Sequence, residues 1–209
     1  EGSNILLTQD FDGLILRNKI IGISILKDDK DSVTVEVGAG VNWHEFVKWS
    51  VRKKLSGIEN LALIPGTVGA SPIQNIGAYG MEVKDTITKV HAFSTKDRRS
   101  KIYKNEDCKF EYRNSIFKLN LKNKIIISKV EFKLSKIPLN KIAYGAIQNE
   151  LNSLKLRPSP RNIANAVTNI RNRKLPNPSK IGNSGSFFKN PIIPTRKFES
   201  LKKIFPEIV

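Results

Sequence analysis

The chain has 209 residues, with 36 Lys and Arg against 19 Asp and Glu, for a formal charge of +17 at neutral pH. Hydrophobic residues at 39% and charged residues at 26% are globular proportions and argue against a largely disordered chain. A single cysteine, Cys108, excludes an intrachain disulfide and fits a reducing, cytoplasmic setting, and no run approaches the roughly 18 apolar residues of a membrane span.

Residues 5–7, 14–16, 20–26 and 33–37 read as short strands, rich in Ile, Leu and Val and separated by turn residues such as Asp12-Gly13 and Asp28-Asp29. Asn42 then stands where a helix N-cap belongs, with Glu45 three residues on to complete a capping box. Trp43, Phe46 and Val47 supply that helix's apolar face. After a Gly/Pro-rich segment at 57–81, strand-like runs return at 87–92, 109–112 and 125–134. The last changes parity between Ile125/Ile127 and Val130/Phe132/Leu134, which predicts a bulge or a strand buried on both sides. A helix is signalled over 159–174: Ser159 caps it, Pro160 occupies its first turn, Ile163, Val167 and Ile170 line one face, and Pro176 stops it. Residues 176–191 are turn-rich and expected to open a new domain. A short helix over 195–205 should turn Phe198, Leu201 and Phe205 inward. The class is α+β with a boundary near residue 175. The chain begins at Glu1 rather than Met and ends just after Pro206, so it is read as part of a longer protein.

The positive charge invites a nucleic-acid reading, because lysine and arginine neutralise phosphates. Lysine outnumbers arginine 26 to 10, however, and is scattered from Lys19 to Lys203 without a zinc-finger spacing or an aromatic-basic motif. The expectation is a solvated surface and no nucleic-acid partner. No His, Cys and Asp cluster has metal-ligand spacing, so no metal is expected.

Four segments could carry chemistry. Residues 60–81, NLALIPGTVGASPIQNIGAYGM, hold no charged residue over 22 positions and four glycines, Gly66, Gly69, Gly77 and Gly80. Such a ribbon suits a flat or phosphorylated cofactor laid against main-chain N–H groups, or equally a tightly packed core loop. It lacks the spacing of a dinucleotide-binding GxGxxG. Gly2-Ser3-Asn4 is a weak phosphate-loop hint or an ordinary turn. Ser186, in GNSGSFFKNP at 182–191, has no local histidine base, so hydrolase chemistry is disfavoured. It could deliver a proton from a dry pocket, or the segment could be a structural turn. Arg113, in FEYRNSIFK at 110–118, is flanked by aromatics and suits a carboxylate or phosphate, or a surface pair to Glu111 or Glu82. His44, beside Trp43, reads as a packing histidine.

In order and spacing these segments resemble the UDP-N-acetylenolpyruvoylglucosamine reductase family, the MurB flavoenzymes of peptidoglycan precursor synthesis. The resemblance rests on the GSN turn at 2–4, GIENLALIPGTVGASPIQNIGAYGMEV at 57–83, EYRNSIFK at 111–118, Tyr144-Gly145, RKLPNP at 173–178 and GNSGSFFKNP at 182–191. It implies an FAD-binding fold of the vanillyl-alcohol-oxidase type plus the start of a substrate-binding α+β domain. Residues 1–21 would be the tail of a first FAD-binding domain, 22–163 a second, 164–175 a connecting helix, and 176–209 the beginning of the third domain.

The family reaction reduces the enolpyruvyl ether of a UDP-sugar to the lactyl ether, with FAD as cofactor and NADPH as co-substrate. By resemblance Arg113 grips and polarises the substrate carboxylate and Ser186 protonates the developing carbanion. Tyr144, Lys174 and Asn190 match substrate-binding positions, and Tyr144-Gly145 points to the subclass that closes a tyrosine-bearing loop. FAD would be held by Gly2, Ser3, Asn4, Pro65, Gly66, Thr67, Gly69, Ser71, Pro72, Asn75, Gly77, Ala78, Tyr79 and Gly80. Ala70 stands where many members carry serine, so a flavin hydrogen bond is lost there or taken over by Ser71. No segment matches the family's C-terminal catalytic glutamate, so these 209 residues alone are expected to be inactive. The protein is expected to be a cytoplasmic monomer. The competing readings are an FAD-dependent oxidase of the same fold, which leaves GNSGSFFKNP after RKLPNP unexplained, and a nucleotide-binding module without catalysis.

Overall fold

The period-two run Ser32–Gly38 sets the centre of the molecule: Val33, Val35 and Val37 are buried, and Ser32, Thr34 and Glu36 face the other way. The structure, a computed structural model, describes residues 8–176, 180–182 and 189–208. Among these, the strands are β1 (Ile23–Asp28), β2 (Ser32–Gly38), β3 (Gly77–Ala78), β4 (Met81–Glu82), β5 (Ile87–Ser94), β6 (Arg99–Lys104) and β7 (Ile125–Ser135). The helices are α1 (Trp43–Arg52), α2 (Gly145–Ser153), α3 (Pro160–Lys174) and α4 (Thr195–Ile204). Five strands form one antiparallel sheet in the order β1-β2-β7-β5-β6, and β3 and β4 form a separate hairpin. The class is α+β, as expected.

Register aligns the apolar positions. Val35 lies opposite Phe132 and Val37 opposite Val130, which in turn faces Val90. Onto this face α1 lays Trp43, Phe46 and Val47, all buried, with the Phe46 ring 4.9 Å from that of Phe132. Burying side chains of this size contributes roughly 1.5–3 kcal/mol each. The Trp43 indole N–H donates to the Leu61 carbonyl at 2.8 Å, which fastens the uncharged loop to α1. α3 closes the same core with Ile163, Val167 and Ile170.

The N-cap bonds of Asn42 and Ser159 form as read from sequence, but the expected capping box does not, because the Glu45 carboxylate turns to Lys48. The Asn42 side chain accepts from the Glu45 N–H at 3.0 Å, and that of Ser159 from the Asn162 N–H at 3.2 Å. The carboxylate of Glu45 takes the Lys48 ammonium at 2.9 Å. The parity change in β7 is a bulge at Ser128. β5 pairs with Lys129 and then Ile127, while the Ser128 carbonyl accepts from the Ala39 N–H at 2.9 Å.

Three further expectations fail. Residues 14–16 are not a strand: Leu14 is 81% exposed and nothing described pairs with the segment. Residues 109–112 are not a strand either, because Lys109 and Arg113 turn into the left-handed region at φ 46° and 55°. Phe198, Leu201 and Phe205 are not inward, since no residue of α4 is buried and Phe205 is 48% exposed. β6 and α2 were not anticipated. Residues 5–7 lie outside the described residues. Among the described residues, no helix is long and apolar enough to cross a membrane.

Candidate functional site

The uncharged loop divides into two parts. The first, 65–71, is hung from the end of β2 by main-chain bonds: Val68 N–H to Val41 O and Gly69 N–H to Ala39 O, both 2.9 Å, and Trp43 N–H to Gly66 O at 3.0 Å. Gly69 has to be glycine, because a Cβ there would stand 2.5 Å from Ala39 Cβ. Gly66 is required for a different reason: its φ of +115° suits glycine, although the space around a Cβ is open. This part borders a cavity of about 300 Å³ lined by Trp43, Pro65, Gly66, Thr67, Ser71 and Lys118, among others. That volume is at the lower end of the small-molecule range, and among the described residues Lys118 is the one charged side chain lining it.

The approach to this part is held at Leu63, whose φ is 58°. Its N–H donates to His44 Nδ1 at 3.0 Å and its carbonyl accepts from Arg171 Nε at 3.2 Å. Burial, followed by the charge of Lys48, keeps the His44 pKa below its ordinary value, so the ring stays neutral and its Nδ1 can accept. His44 therefore does more than pack. Burial also lowers the pKa of Arg171.

The second part, 75–82, is knitted shut. The Asn75 amide donates to Glu82 Oε2 at 3.1 Å and to the Glu111 carbonyl at 2.9 Å, and its oxygen accepts from the Lys84 N–H at 3.1 Å. That amide is thereby committed to protein partners, joining the β3–β4 hairpin to the Arg113 segment. Tyr79 and Gly80, at φ 49° and 75°, make the two-residue turn that the twist of such a hairpin favours. At Gly77 a Cβ would meet Arg113 Nη1 and Met81 O, each at 2.7 Å. The Arg113 guanidinium fills that place, donating through Nη2 to the Gly77 carbonyl at 2.5 Å and lying 5.0 Å from the Tyr112 ring centroid. Ser115 Oγ ties the same segment to the Ile73 carbonyl at 2.6 Å.

Lys118 joins the two parts: it lines the cavity, and its ammonium donates to the Arg113 carbonyl at 3.1 Å. Tyr144, 53% exposed, meets Tyr79 edge-to-face with centroids 5.3 Å apart. Burial raises the Tyr79 pKa, with the charge of Arg171 acting the other way. Lys174 ends α3 and is exposed, as is Asn190. Pro72 is buried behind the loop. Gly2, Ser3, Asn4 and Ser186 lie outside the described residues, but Lys189, three positions after Ser186, puts its ammonium 5.5 Å from the Tyr112 ring centroid. The sequence assigns no place in the site to Trp43, Lys118, Arg171 or Asn60. Lys118 closes the FEYRNSIFK motif and Arg171 lies one turn before Lys174, which are the signals the sequence offers for them.

On the outer sheet face Glu36, His91 and Glu131 lie close enough to share an ion. Ammonium groups already take both carboxylates, Lys129 that of Glu36 at 2.7 Å and Lys89 that of Glu131 at 3.1 Å, so the group reads as an ion-pair network.

Residues 1–97 match the family described as "FAD binding domain". The chain is 46% identical to a UDP-N-acetylenolpyruvoylglucosamine reductase of Flavobacterium johnsoniae, covering 99% of this chain and 62% of that protein. It is 49% identical to one from Amoebophilus asiaticus, over 99% of this chain and 61% of that protein. Among solved structures it resembles the crystal structure of UDP-N-acetylenolpyruvylglucosamine reductase (MurB) from Thermus caldophilus, with TM-score 0.54 and 29% identity, covering 75% of this chain and 48% of that one. The chain thus spans about three fifths of the length of these curated relatives.

Proposed function

Because the chain belongs, over the residues it spans, to the UDP-N-acetylenolpyruvoylglucosamine reductase family, we propose that it is the flavin-holding part of a cytoplasmic, monomeric oxidoreductase that uses NADPH to reduce an enolpyruvyl UDP-sugar in peptidoglycan precursor synthesis. In this reading 1–21 ends a first FAD-binding domain, 22–163 is the second, 164–175 connects, and 176–209 begins the substrate domain. The observation that carries it is the placement of Arg113 against Gly77, joined through Lys118 to a largely apolar cavity bordered by glycine-rich main chain.

FAD, when bound, supplies the hydride acceptor and donor that no side chain can provide. The residues fit such a group: Gly66 leaves open space on the cavity side, the lining is largely apolar, and main chain is close at hand. Pro65, Gly66, Thr67, Gly69 and Ser71 would border the ring system, and Gly77, Ala78, Tyr79 and Gly80 would hold it from the hairpin. Pro72 and Asn75 would act from behind, by keeping the loop in shape. Gly2, Ser3 and Asn4 would take the phosphates.

Arg113, a permanent cation with fixed geometry, would grip the substrate carboxylate and stabilise the negative charge that spreads into it, a contribution on the order of 3 kcal/mol for one well-aimed donor. Ser186 would give its proton to the carbon next to the ether oxygen, and the approach of Lys189 to Tyr112 supports bringing its segment towards Arg113. Tyr144, Lys174 and Asn190 would hold the UDP portion.

The test uses the full-length protein loaded with FAD and followed by flavin absorbance. Ser186→Ala should leave flavin reduction by NADPH within about twofold and slow reoxidation by the enolpyruvyl substrate by a hundredfold or more, on the order of general acid catalysis. Arg113→Ala should slow the same half-reaction. A protein that cannot be loaded with FAD, or variants with both half-reactions at wild-type speed, would overturn the reading.

A further inference from the structure

We propose that Asn60 is a positioning residue: it latches the segment leading to Tyr144 onto the Tyr79 turn, and so presets the contact through which the UDP-sugar is held. This inference rests on the substrate role of Tyr144 proposed above. Asn60 is 1% exposed, and its amide nitrogen donates twice, to the Tyr79 carbonyl at 3.0 Å and to the Lys141 carbonyl at 2.8 Å. Those two carbonyls belong to the two stretches of chain whose tyrosine rings then meet.

Asn60 has a firm base. The neighbouring Glu59 carboxylate, also buried, accepts from Ser56 Oγ at 2.5 Å and from the Gly57 N–H at 2.6 Å. The stitching continues along the partner segment. Ser56 and Ser135 exchange main-chain bonds at 2.8 and 2.9 Å, and the Leu139 N–H donates to Ser56 Oγ at 3.0 Å. Lys141 itself reaches Asp85 at 3.4 Å. Residues 56–60 therefore act as a polar rail along which 135–141 is fastened, and Asn60 is its last point of attachment before Tyr144.

The amide is needed for its donors. Its oxygen is buried and meets no hydrogen-bond partner among the described residues, a condition that costs stability. An apolar side chain of similar size would avoid that cost but could not hold two carbonyls together. The geometry favours coupling of the turn and the segment over local stability.

The experiment uses the full-length protein loaded with FAD, comparing wild type with Asn60→Ala, Asn60→Asp, Tyr144→Ala and the Asn60→Ala/Tyr144→Ala double variant. The Asp variant keeps the shape of the side chain but repels both carbonyls. Either change at residue 60 should raise KM for the enolpyruvyl UDP-sugar about tenfold, the weight of one to two hydrogen bonds, while FAD affinity and the NADPH half-reaction stay within about twofold. The double variant should bind no worse than Tyr144→Ala alone, whereas independent effects would multiply and add about a further tenfold. Limited proteolysis should cut between 136 and 143 at least about tenfold faster in both variants.

An unchanged KM in Asn60→Asp overturns the proposal, as does a multiplicative double variant. So does parallel loss of FAD and substrate, or failure of both variants to fold, since either would make Asn60 a purely structural residue. A wild-type protein that takes FAD but ignores the UDP-sugar instead overturns the functional reading, and the proteolysis arm still reports whether Asn60 latches the segment.

Discussion

The two parts of the loop each hold two glycines and an alanine and have opposite structures. At 65–71 the chain is suspended from the end of β2 by main-chain bonds, and its free side faces a cavity. At 75–82 the polar groups turn inward: the Asn75 amide engages three partners and the Gly77 carbonyl takes the Arg113 guanidinium. Glycine serves both parts, by open space at Gly66 and by close approach at Gly69 and Gly77. The difference separates a surface that can receive a ligand from a frame that aims a charge. It also predicts that damage to the second part should weigh more on the aim of Arg113 than on the flavin, which the hairpin would hold from one side only.

The largest effect should come from closing the first part. Gly69→Val drives a branched side chain into Ala39, whose Cβ and main chain lie 2.5 and 3.2 Å from where the new Cβ would stand. The cost should be about 4 kcal/mol in urea unfolding, with FAD binding lost. Gly66→Ala, which has room but the wrong backbone angle, should cost only about 2 kcal/mol. Equal losses at the two positions would show that the cavity wall is not formed by close approach at Ala39.

Asn75→Ala tests the second part. It leaves the Glu111 carbonyl, the Lys84 N–H and the Glu82 carboxylate without their amide partner, a loss of about 3 kcal/mol. FAD affinity should change by less than about threefold, while reoxidation by the enolpyruvyl substrate slows about tenfold because Arg113 is no longer aimed. If flavin affinity falls in step with the substrate reaction, the two parts are one unit and the distinction between them is lost.

Where the physics is local, it could be read from the sequence. Asn42 and Ser159 cap because a side-chain acceptor two or three residues before free N–H groups needs no distant partner. The bulge at Ser128 is written in the parity of its own strand. β6 escaped because Arg99–Lys104 is a lysine-rich edge strand with little to bury. α2 escaped because it opens on Gly145 without a side-chain cap. Leu14, Ile15 and Leu16 have strand composition, but composition does not supply a pairing partner. For the site, the absence of charge over 60–81 marked the loop, and Arg113 could be singled out between its aromatic neighbours. The hold on Leu63 could not be read: His44 lies 19 residues from Leu63 and Arg171 lies 108 from it, and only the packing of α1 and α3 brings them together.

That hold yields the smallest of these effects, and it belongs to the first part of the loop alone. His44 accepts the Leu63 N–H through Nδ1, and protonation of that nitrogen removes the acceptor. Its folded pKa lies below the ordinary 6.5, chiefly through burial and next through Lys48, so on acidification the unfolded chain takes up the proton first. Stability from this source is complete above about pH 6.5 and declines as the pH falls through that value towards the folded pKa. Because His44 is only half-buried and solvent screens its charge, this contribution should be smaller than any of the losses above. Hydrogen exchange at the Leu63 amide should quicken between pH 7 and 5.5 beyond the intrinsic trend, while the amides of 77–82, held by groups that do not titrate there, should keep their protection. In His44→Gln, whose amide oxygen can accept at any of these pH values, the extra exchange at Leu63 should vanish. Persistence of the pH effect in that variant would move its origin away from His44 and remove the link between α1 and the approach to the cavity.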